Sequence, residues 1–241
     1  MQITIREPGS AITHFIGCMM ALFASVPLLI KAGVSAGGRT FTAMLIFMLS
    51  MVLLYGASAT YHSVNLSGKP LRIFRKIDHM MIFVLIAGSY TPVCLIVLGG
   101  KEGVTMLTVV WSIAIAGMLI KAFWITCPKW FSSIIYIAMG WTCLPVFARL
   151  WTDLPHAAFG WLLAGGIIYT IGGVIYALKL PVFNALHKYF GIIYTVGGII
   201  YALKLPIFNA KHANFGSHEI FHLFVMAGSI CHFIFMYRYV A

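Results

Sequence analysis

The sequence has little charge of either sign. Only 9% of its 241 residues are Asp, Glu, Lys or Arg, whereas about 25% are charged in a typical soluble domain. Apolar residues make up 61% of the chain. This composition excludes a soluble globular domain and is typical of a protein whose helices lie in a lipid bilayer.

Acidic residues are the scarcest charged group. Five Asp and Glu oppose 16 Lys and Arg, and the formal net charge is +11. In a soluble protein this excess would suggest a nucleic-acid partner. In a membrane protein it is better explained by cationic loops that hold the cytoplasmic helix ends against anionic lipid. We therefore expect membrane lipids and no nucleic acid as partners, and the oligomeric state stays open.

Cysteine is also sparse, and its five positions form no pattern. The number is odd, and most of the cysteines lie inside apolar runs without ligand-like spacing. They are Cys18, Cys94, Cys127, Cys143 and Cys231. This excludes a disulfide framework and a cysteine-based metal site.

Seven apolar runs are long enough to cross a bilayer, for which about 20 residues are needed. They cover Ile12 to Ile30, Phe41 to His62, His79 to Leu98, Val104 to Trp124, Ser132 to Leu150, Ala157 to Leu178, and His218 to Tyr237. The links between them are short. The sequence thus predicts an all-α, polytopic seven-transmembrane helix bundle that forms one integral membrane domain over residues 1–241.

The distribution of cations predicts the orientation of the bundle. The link between the second and third runs holds cations at positions 69, 72, 75 and 76, whereas the next link holds only Lys101, whose charge Glu102 cancels. By the positive-inside rule, the N-terminus is cytoplasmic. Short tails and the lack of an address signal predict the plasma membrane.

One stretch of the chain is duplicated in tandem. Residues 167–191 and 192–216 differ at only six positions. The apolar stretch that leads into the second copy, Tyr189 to Leu205, would form only about 25 Å of helix, which is short for a span. We predict that this extra short segment does not cross, and lies before the last helix as an interfacial or re-entrant helix or packed against the bundle. The alternative is an eighth span.

The seventh run opens with an H-E-x-x-H motif, His218-Glu219-x-x-His222. Imidazoles four residues apart share one helical face and can bind one metal ion. In soluble metalloproteases the Glu of this motif is the general base, and a third ligand comes from elsewhere. Here we expect Glu219 to point into the headgroup region, away from the metal.

The predicted topology supplies the third ligand. The second run travels from outside to inside and ends at His62, so this imidazole lies near the leaflet where the seventh run begins. Three histidines, His62, His218 and His222, suit zinc and leave a fourth position for water. We therefore predict a zinc site near the cytoplasmic face.

Two further residues are predicted to act at this site. Asp78 opens the third run on the same side and can orient a water molecule and take its proton. Ser58 lies one turn before His62 and can steady that ligand or contact a substrate carbonyl. The alternatives are that Asp78 only caps a helix and that Ser58 only bonds back to a carbonyl one turn earlier.

The remaining histidines are not expected to bind the metal. His14, His79 and His232 can pair with the backbone or snorkel at helix ends. His156, His187 and His212 lie in links and are predicted to face water.

Several motifs in order resemble the hemolysin III family. They are Arg6-Glu7-Pro8, Thr13-His14, Ser58-x-x-x-His62, Asp78-His79, Ala87 to Pro92, Ala138 to Trp141, and His218-x-x-x-His222. That family is related to the progestin and adipoQ receptors, which are adiponectin-receptor-like membrane proteins. The resemblance implies a seven-helix bundle with a cytoplasmic N-terminus and a zinc ion held by the same three histidines. It also implies that Asp78 binds water and that Ser58 is the motif serine.

The resemblance and the predicted site indicate a zinc-dependent hydrolase, similar to ceramidase-like amidases, that cleaves a lipid amide or ester. A second hypothesis is a non-enzymatic membrane sensor or receptor with structural zinc and a lipid ligand. A third is a pore-forming hemolysin, suggested by the family name alone. A pore normally shows a polar stripe along several helices, and the sequence shows none, so pore formation ranks last.

Overall fold

A computed structural model describes residues 5–35, 37–178 and 217–241, and these residues form helices joined by short links. The α-helices are α1 (Pro8–Ser35), α2 (Gly37–Ser63), α3 (Gly68–Pro92), α4 (Gly100–Phe123), α5 (Lys129–Gly140), α6 (Phe147–Asp153), α7 (His156–Leu178) and α8 (Ser217–Phe235). Two π-helical turns, Val93–Leu98 and Met236–Val240, extend α3 and α8, and a 3-10 turn, Leu144–Val146, precedes α6. The described ranges contain no β-strand.

Seven segments of these ranges are long and apolar enough to cross a membrane. They are α1, α2, α3 with its π-helical turn, α4, α5 together with α6, α7, and α8 with its π-helical turn. Large apolar side chains such as Phe23, Val34 and Phe123 are exposed on the outside of the bundle, where a bilayer would cover them. The predicted all-α, seven-span architecture is confirmed, and the chain is a multi-pass membrane protein.

The third helix begins earlier than the sequence predicts. It starts at Gly68, with Ser67 at the N-cap, rather than at His79. The apolar run misses this part because the first turns are rich in Lys and Arg, which are good helix formers but not hydrophobic. Asp78 therefore lies well inside α3, and the alternative that it caps the helix is wrong.

The fifth span is interrupted, which the sequence analysis did not anticipate. Pro145 cannot donate a backbone hydrogen bond and its ring clashes with a helical carbonyl one turn earlier, so α5 ends at Gly140 before α6 begins. Tyr90 of α3 bridges the break: its hydroxyl donates to the Gly140 carbonyl at 2.6 Å and accepts from the Cys143 amide at 3.1 Å. The neighbouring helix thus satisfies backbone groups that a broken span would leave unpaired in hydrocarbon.

The first and last spans lie side by side with the same direction. Ser10 bonds to Glu219 near one end of this pair, and Lys31 bonds to the carbonyl of Tyr237 near the other. We call the end at which α1 begins the N-terminal end of the bundle. This arrangement places the start of α8 beside the start of α1.

Helices α7 and α8 are antiparallel and meet at the N-terminal end. The ring of Tyr176, near the end of α7, lies 5.5 Å from the ring of His218, at the start of α8. The prediction that the second repeat copy does not cross the membrane, and the alternative of an eighth span, concern residues outside the described ranges.

Close helix packing at Gly103 gives a prediction about stability. A Cβ at this position would lie 2.0 Å from the carbonyl oxygen of Cys94, whereas a Cβ at Gly160 would meet nothing within 4 Å. We expect Gly103→Ala to destabilise the fold by about 1–3 kcal/mol, because the backbone at Cys94 or at position 103 would have to move to relieve the clash. The matched variant Gly160→Ala should leave stability unchanged or raise it slightly. Thermal unfolding of both proteins in the same lipid nanodiscs measures this, and equal melting temperatures would contradict it.

Candidate metal centre

Three histidines from two helices meet at the N-terminal end of the bundle. His62 lies in the last turn of α2, and His218 and His222 lie in the first two turns of α8. One ring nitrogen from each falls within 4.8 Å of the other two. His62 and His222 are only 1% exposed, and His218 is half-buried. The structure therefore brings together the three residues that the sequence predicts as metal ligands.

The chemistry of this cluster suits a metal ion. The Nε2 atoms of His62 and His218 face each other at 3.2 Å, a spacing at which two N–H groups would repel. His218 Nδ1 is buried without a hydrogen-bond partner among the described residues. A cation between the rings would be bound by nitrogen lone pairs, and three imidazoles are a ligand set that zinc favours. The residues present fit the predicted metal.

Residues at the start of α1 contact the Nδ1 atoms of two of the three rings. The Glu7 carboxylate pairs with Nδ1 of His62. The hydroxyl of Thr13 lies 3.2 Å from Nδ1 of His222. With both Nδ1 atoms engaged, the Nε2 atoms are left to bind the ion, and such outer contacts fix ring orientation in metal sites.

Backbone hydrogen bonds hold Glu7 in place. Its amide donates to the carbonyl of His62 at 3.0 Å, and its own carbonyl accepts from the amide of Ala11 in the first turn of α1. Pro8 follows at the first helical position, where its missing N–H costs nothing. The start of α1 is therefore tied to the end of α2 at the metal centre.

Sequence reasoning gave Glu7 and Thr13 no role in the site. Both residues stood in the strings that carry the family resemblance, and that was the available signal. No local spacing connects them to the ligands, because Glu7 lies 55 residues from His62 and Thr13 lies 209 residues from His222.

Glu219 points away from the three histidines, as expected, but its side chain is buried in the protein. It is 9% exposed, and its carboxylate accepts a 2.5 Å hydrogen bond from the hydroxyl of Ser10. Because an α-helix separates adjacent side chains by about 100°, Glu219 faces α1 while His218 and His222 face the metal centre.

Asp78 and Ser58 both line the cavity beside the histidines. Asp78 is 7% exposed and pairs with Nδ1 of His79 at 3.2 Å. The hydroxyl of Ser58 is buried and makes no hydrogen bond to a backbone carbonyl of the described chain. The alternative that Ser58 only bonds back to its own helix is therefore wrong.

The cavity extends from the histidines into the apolar interior. Its volume is about 170 Å³. His14, Asp78 and His222 line the polar end, and the walls beyond them are mostly aliphatic and aromatic side chains. These include Leu54, Ile82, Leu85, Val93, Phe147, Leu150, Phe159, Phe221 and Val225. Apolar walls with a few polar groups are the usual lining of small-molecule sites.

The other histidines fall into different settings. His14 is 3% exposed, and its ring stacks on that of His222 at 3.5 Å, so it neither snorkels nor pairs with the backbone. His79 pairs with Asp78, and His232 lies 3.3 Å from the carbonyl of Leu162. His156 is exposed, as predicted. The predictions for positions 187 and 212 lie outside the described residues.

The contact between Glu7 and His62 makes a prediction about metal affinity. Glu7→Gln keeps the side-chain shape but removes the charge that orients and polarises the imidazole. We expect zinc affinity to fall by about 10- to 100-fold, as is typical when an outer partner of a ligand is lost. Zinc competition with a chelator of known affinity measures this.

The control Glu102→Gln changes an exposed acid that pairs with Arg149 and should leave zinc affinity unchanged. Equal affinities for Glu7→Gln and the unmodified protein would contradict the assigned role.

Comparison with known proteins identifies related sequences. The chain matches the family described as "Haemolysin-III related" over residues 2–189 and again over residues 182–233. The two matched stretches overlap at positions 182–189, inside the first copy of the tandem repeat. The family pattern therefore resumes within the duplicated segment, as expected if an extra copy was inserted there.

Three relatives show the range of the similarity. The chain is 33% identical to Hemolysin-3 of Bacillus cereus over 239 residues, which cover 99% of this chain and 94% of the relative. It is 38% identical to the Hemolysin-3 homolog of Bacillus subtilis (strain 168) over 189 residues, covering 78% and 88% of the two chains. It is 21% identical to the adiponectin receptor protein of Drosophila melanogaster over 243 residues, covering 94% of this chain and 49% of the receptor.

Proposed function

The chain belongs to the haemolysin-III related family, and we propose that within this family it is a zinc-dependent membrane hydrolase that cleaves an amide or ester of a lipid. The observation that carries the proposal is that two of the three clustered histidines, His218 and His222, line an apolar cavity. A purely structural metal would not need that chamber. A lipid hydrolase needs both a site that activates water and a channel that holds the tail.

His62, His218 and His222 would hold the zinc ion. When bound, zinc acidifies water and polarises a carbonyl group. Glu7 and Thr13 keep the His62 and His222 rings turned toward the ion through contacts to their Nδ1 atoms. The first helix is thus part of the metal centre, although it supplies no ligand.

Asp78 is the proposed general base. It lines the cavity beside the histidines, and its carboxylate lies 3.2 Å from Nδ1 of His79. In this role it accepts the proton of the attacking water and later delivers it to the leaving group. Ser58 is the proposed contact for the substrate carbonyl, because it lines the same cavity as Asp78 and its hydroxyl has no carbonyl partner on its own helix.

The site also supports a proposal about location. We place the N-terminal end of the bundle at the cytoplasmic face of the plasma membrane. The cations of the first turns of α3 lie at this end, and the positive-inside rule favours that side. The zinc site would then lie near the inner leaflet, within reach of lipids that enter from it.

A non-enzymatic receptor is the second candidate. It is favoured by the similarity to a relative named as an adiponectin receptor. In a receptor the metal would tie α2 to α8, and the cavity would hold a lipid ligand that is not cleaved. The two functions differ in whether Asp78 must carry a charge.

The test of the proposed function uses the purified full-length protein. Metal analysis should find about one zinc ion per chain, since the structure has one cluster of three ligands in its described part. Incubation with a defined mixture of lipid amides and esters, followed by mass spectrometry, should show a free fatty acid whose yield depends on zinc. Intact lipids despite full zinc occupancy would reject the hydrolase in favour of the receptor.

A further inference from the structure

A lysine is buried at the end of the fourth helix. Lys121 lies in the last turn of α4 and is 2% exposed. None of the ion pairs between described residues includes it. Instead, Nζ donates hydrogen bonds to Sγ of Cys127 at 3.1 Å and to Oγ of Ser132 at 2.5 Å. Lysine is almost never fully buried unless it is paired, so the partners of this side chain are unusual.

The thiol of Cys127 lies in a setting typical of reactive cysteines. Cys127 is in the link between α4 and α5 and is 8% exposed, and its neighbours Thr126 and Pro128 are exposed. Its sulfur accepts from Lys121 and lies 3.2 Å from Oγ of Ser132. Cysteines that react with oxidants lie beside a cation and near the surface. We therefore expect a small oxidant to react at this sulfur.

The residues around Cys127 limit what its oxidised form can do. A cysteine sulfenic acid condenses with a thiol or with a backbone nitrogen. The hydrogen-bond partners of the sulfur in the described chain are Lys121 and Ser132, and neither is a thiol. The residue that follows is Pro128, which has no N–H with which to condense. The amine of Lys121 is then the nitrogen in position to react.

We propose that Lys121 and Cys127 form an oxidation site, at which hydrogen peroxide joins Nζ to Sγ by a covalent bond. In the first step the thiol sulfur takes an oxygen atom from the peroxide and becomes a sulfenic acid, and the peroxide is reduced to water. In the second step the amine attacks the sulfenic sulfur. The N–S bond forms, the S–O bond breaks, and the hydroxyl group leaves as water with a proton of the amine. The product is a sulfenamide, and the protein has lost two hydrogen atoms.

The cross-link would fasten the link between α4 and α5 close to the cavity. Nζ of Lys121 lies 5.9 Å from the centre of the Tyr136 ring, and the hydroxyl of Tyr136 donates to the carbonyl of His79 at 3.1 Å. Both Tyr136 and His79 line the cavity. Because a peptide mass reports the bond, the inference does not depend on the proposed hydrolase.

Peptide masses of the full-length protein in nanodiscs test the proposal. The protein is treated with hydrogen peroxide, its remaining thiols are blocked, and it is digested with trypsin without a reductant. Trypsin cleaves after a free Lys121 but not after a cross-linked one, so residues 102–129 should remain one fragment. This fragment should be lighter than its free-thiol form by about 2 Da, the mass of two hydrogen atoms. Cys127 is its only cysteine, so an internal disulfide cannot produce this loss.

Reduction gives a second readout on the unmodified protein. Dithiothreitol opens a sulfenamide, and it should restore both cleavage after Lys121 and the mass of the free thiol. A gain of about 16 or 32 Da at Cys127, together with complete cleavage after Lys121, would mean simple oxidation of the sulfur and would overturn the proposal.

The variant Lys121→Arg keeps a cation at this position but replaces the amine by a guanidinium group, which is a poor nucleophile. The sulfenic acid of Cys127 should then persist, and dimedone should label it more strongly than in the unmodified protein. Cys231 is the matched control in the same chain, because it is also 8% exposed and no lysine bonds to it among the described residues. A loss of two hydrogen atoms at Cys127 in Lys121→Arg, or an equal yield of lysine cross-link at Cys231, would refute the site.

Discussion

Replacing His62 by alanine is expected to lower the affinity for zinc by more than about 100-fold and to abolish lipid hydrolysis. Loss of a residue that only orients a metal ligand lowers affinity by about 10- to 100-fold, and loss of a ligand itself should cost more. His62 also connects α1 to α8, since it pairs with Glu7 and faces His218. The change therefore removes one of three ligands and the imidazole partner of the Glu7 carboxylate.

Zinc content after dialysis against a chelator measures this effect, together with fatty-acid release by mass spectrometry. His156→Ala is the matched control, because this histidine is exposed and stacks on Trp151 away from the cluster. A thermal unfolding scan separates loss of metal from loss of fold. Full hydrolysis by a folded, zinc-free His62→Ala protein would refute the proposed metal chemistry.

Asp78→Asn is expected to slow hydrolysis by about 10²- to 10⁴-fold, the usual contribution of a general base. Zinc binding should persist, because Asp78 is not one of the three clustered ligands. Asparagine has nearly the same shape and can still contact His79 through its side-chain oxygen. The position of Asp78 inside α3 removes helix capping as an explanation for any loss of activity.

Steady-state rates and zinc content of the same preparation test this prediction. Unchanged hydrolysis would exclude Asp78 as the base. The receptor alternative predicts a different pattern: Asp78→Asn would keep the fold, the zinc and a ligand response, because none of these requires proton transfer. Cleavage by the unmodified protein that Asp78→Asn loses, while lipid and zinc binding are kept, therefore distinguishes an enzyme from a receptor.

The seven spans could be predicted because their signal is local. A bilayer demands long apolar runs, and each run is visible in the sequence without knowledge of its neighbours. The clustering of the three histidines was predictable for a related reason, since counting crossings places the end of the second span and the start of the last on one side. In the structure, the Nε2 atoms of His62 and His218 lie 3.2 Å apart.

Other features could not be predicted in this way. A hydropathy pattern underestimates the length of a helix whose first turns are rich in Lys and Arg. The start of α3 was therefore placed 11 residues too late, at His79 rather than Gly68. Pro145 was a signal for the break in the fifth span, but the apolar run was long enough to be interpreted as one continuous helix. The contacts of Glu7 and Thr13 depend on tertiary packing, and no spacing rule connects residues so far apart along the chain.

The wide separation of the clustered histidines along the chain also sets the order of assembly. His62 and His218 are 156 residues apart, and a ribosome adding about 5–20 residues per second needs roughly 8 to 30 s to make that interval. During this time the Glu7–His62 half of the centre is already in the membrane without its other two ligands. Loading of the proposed zinc ion is thus expected to be a late step in biogenesis that follows insertion of the last span, and a chain truncated before that span has no complete set of three ligands.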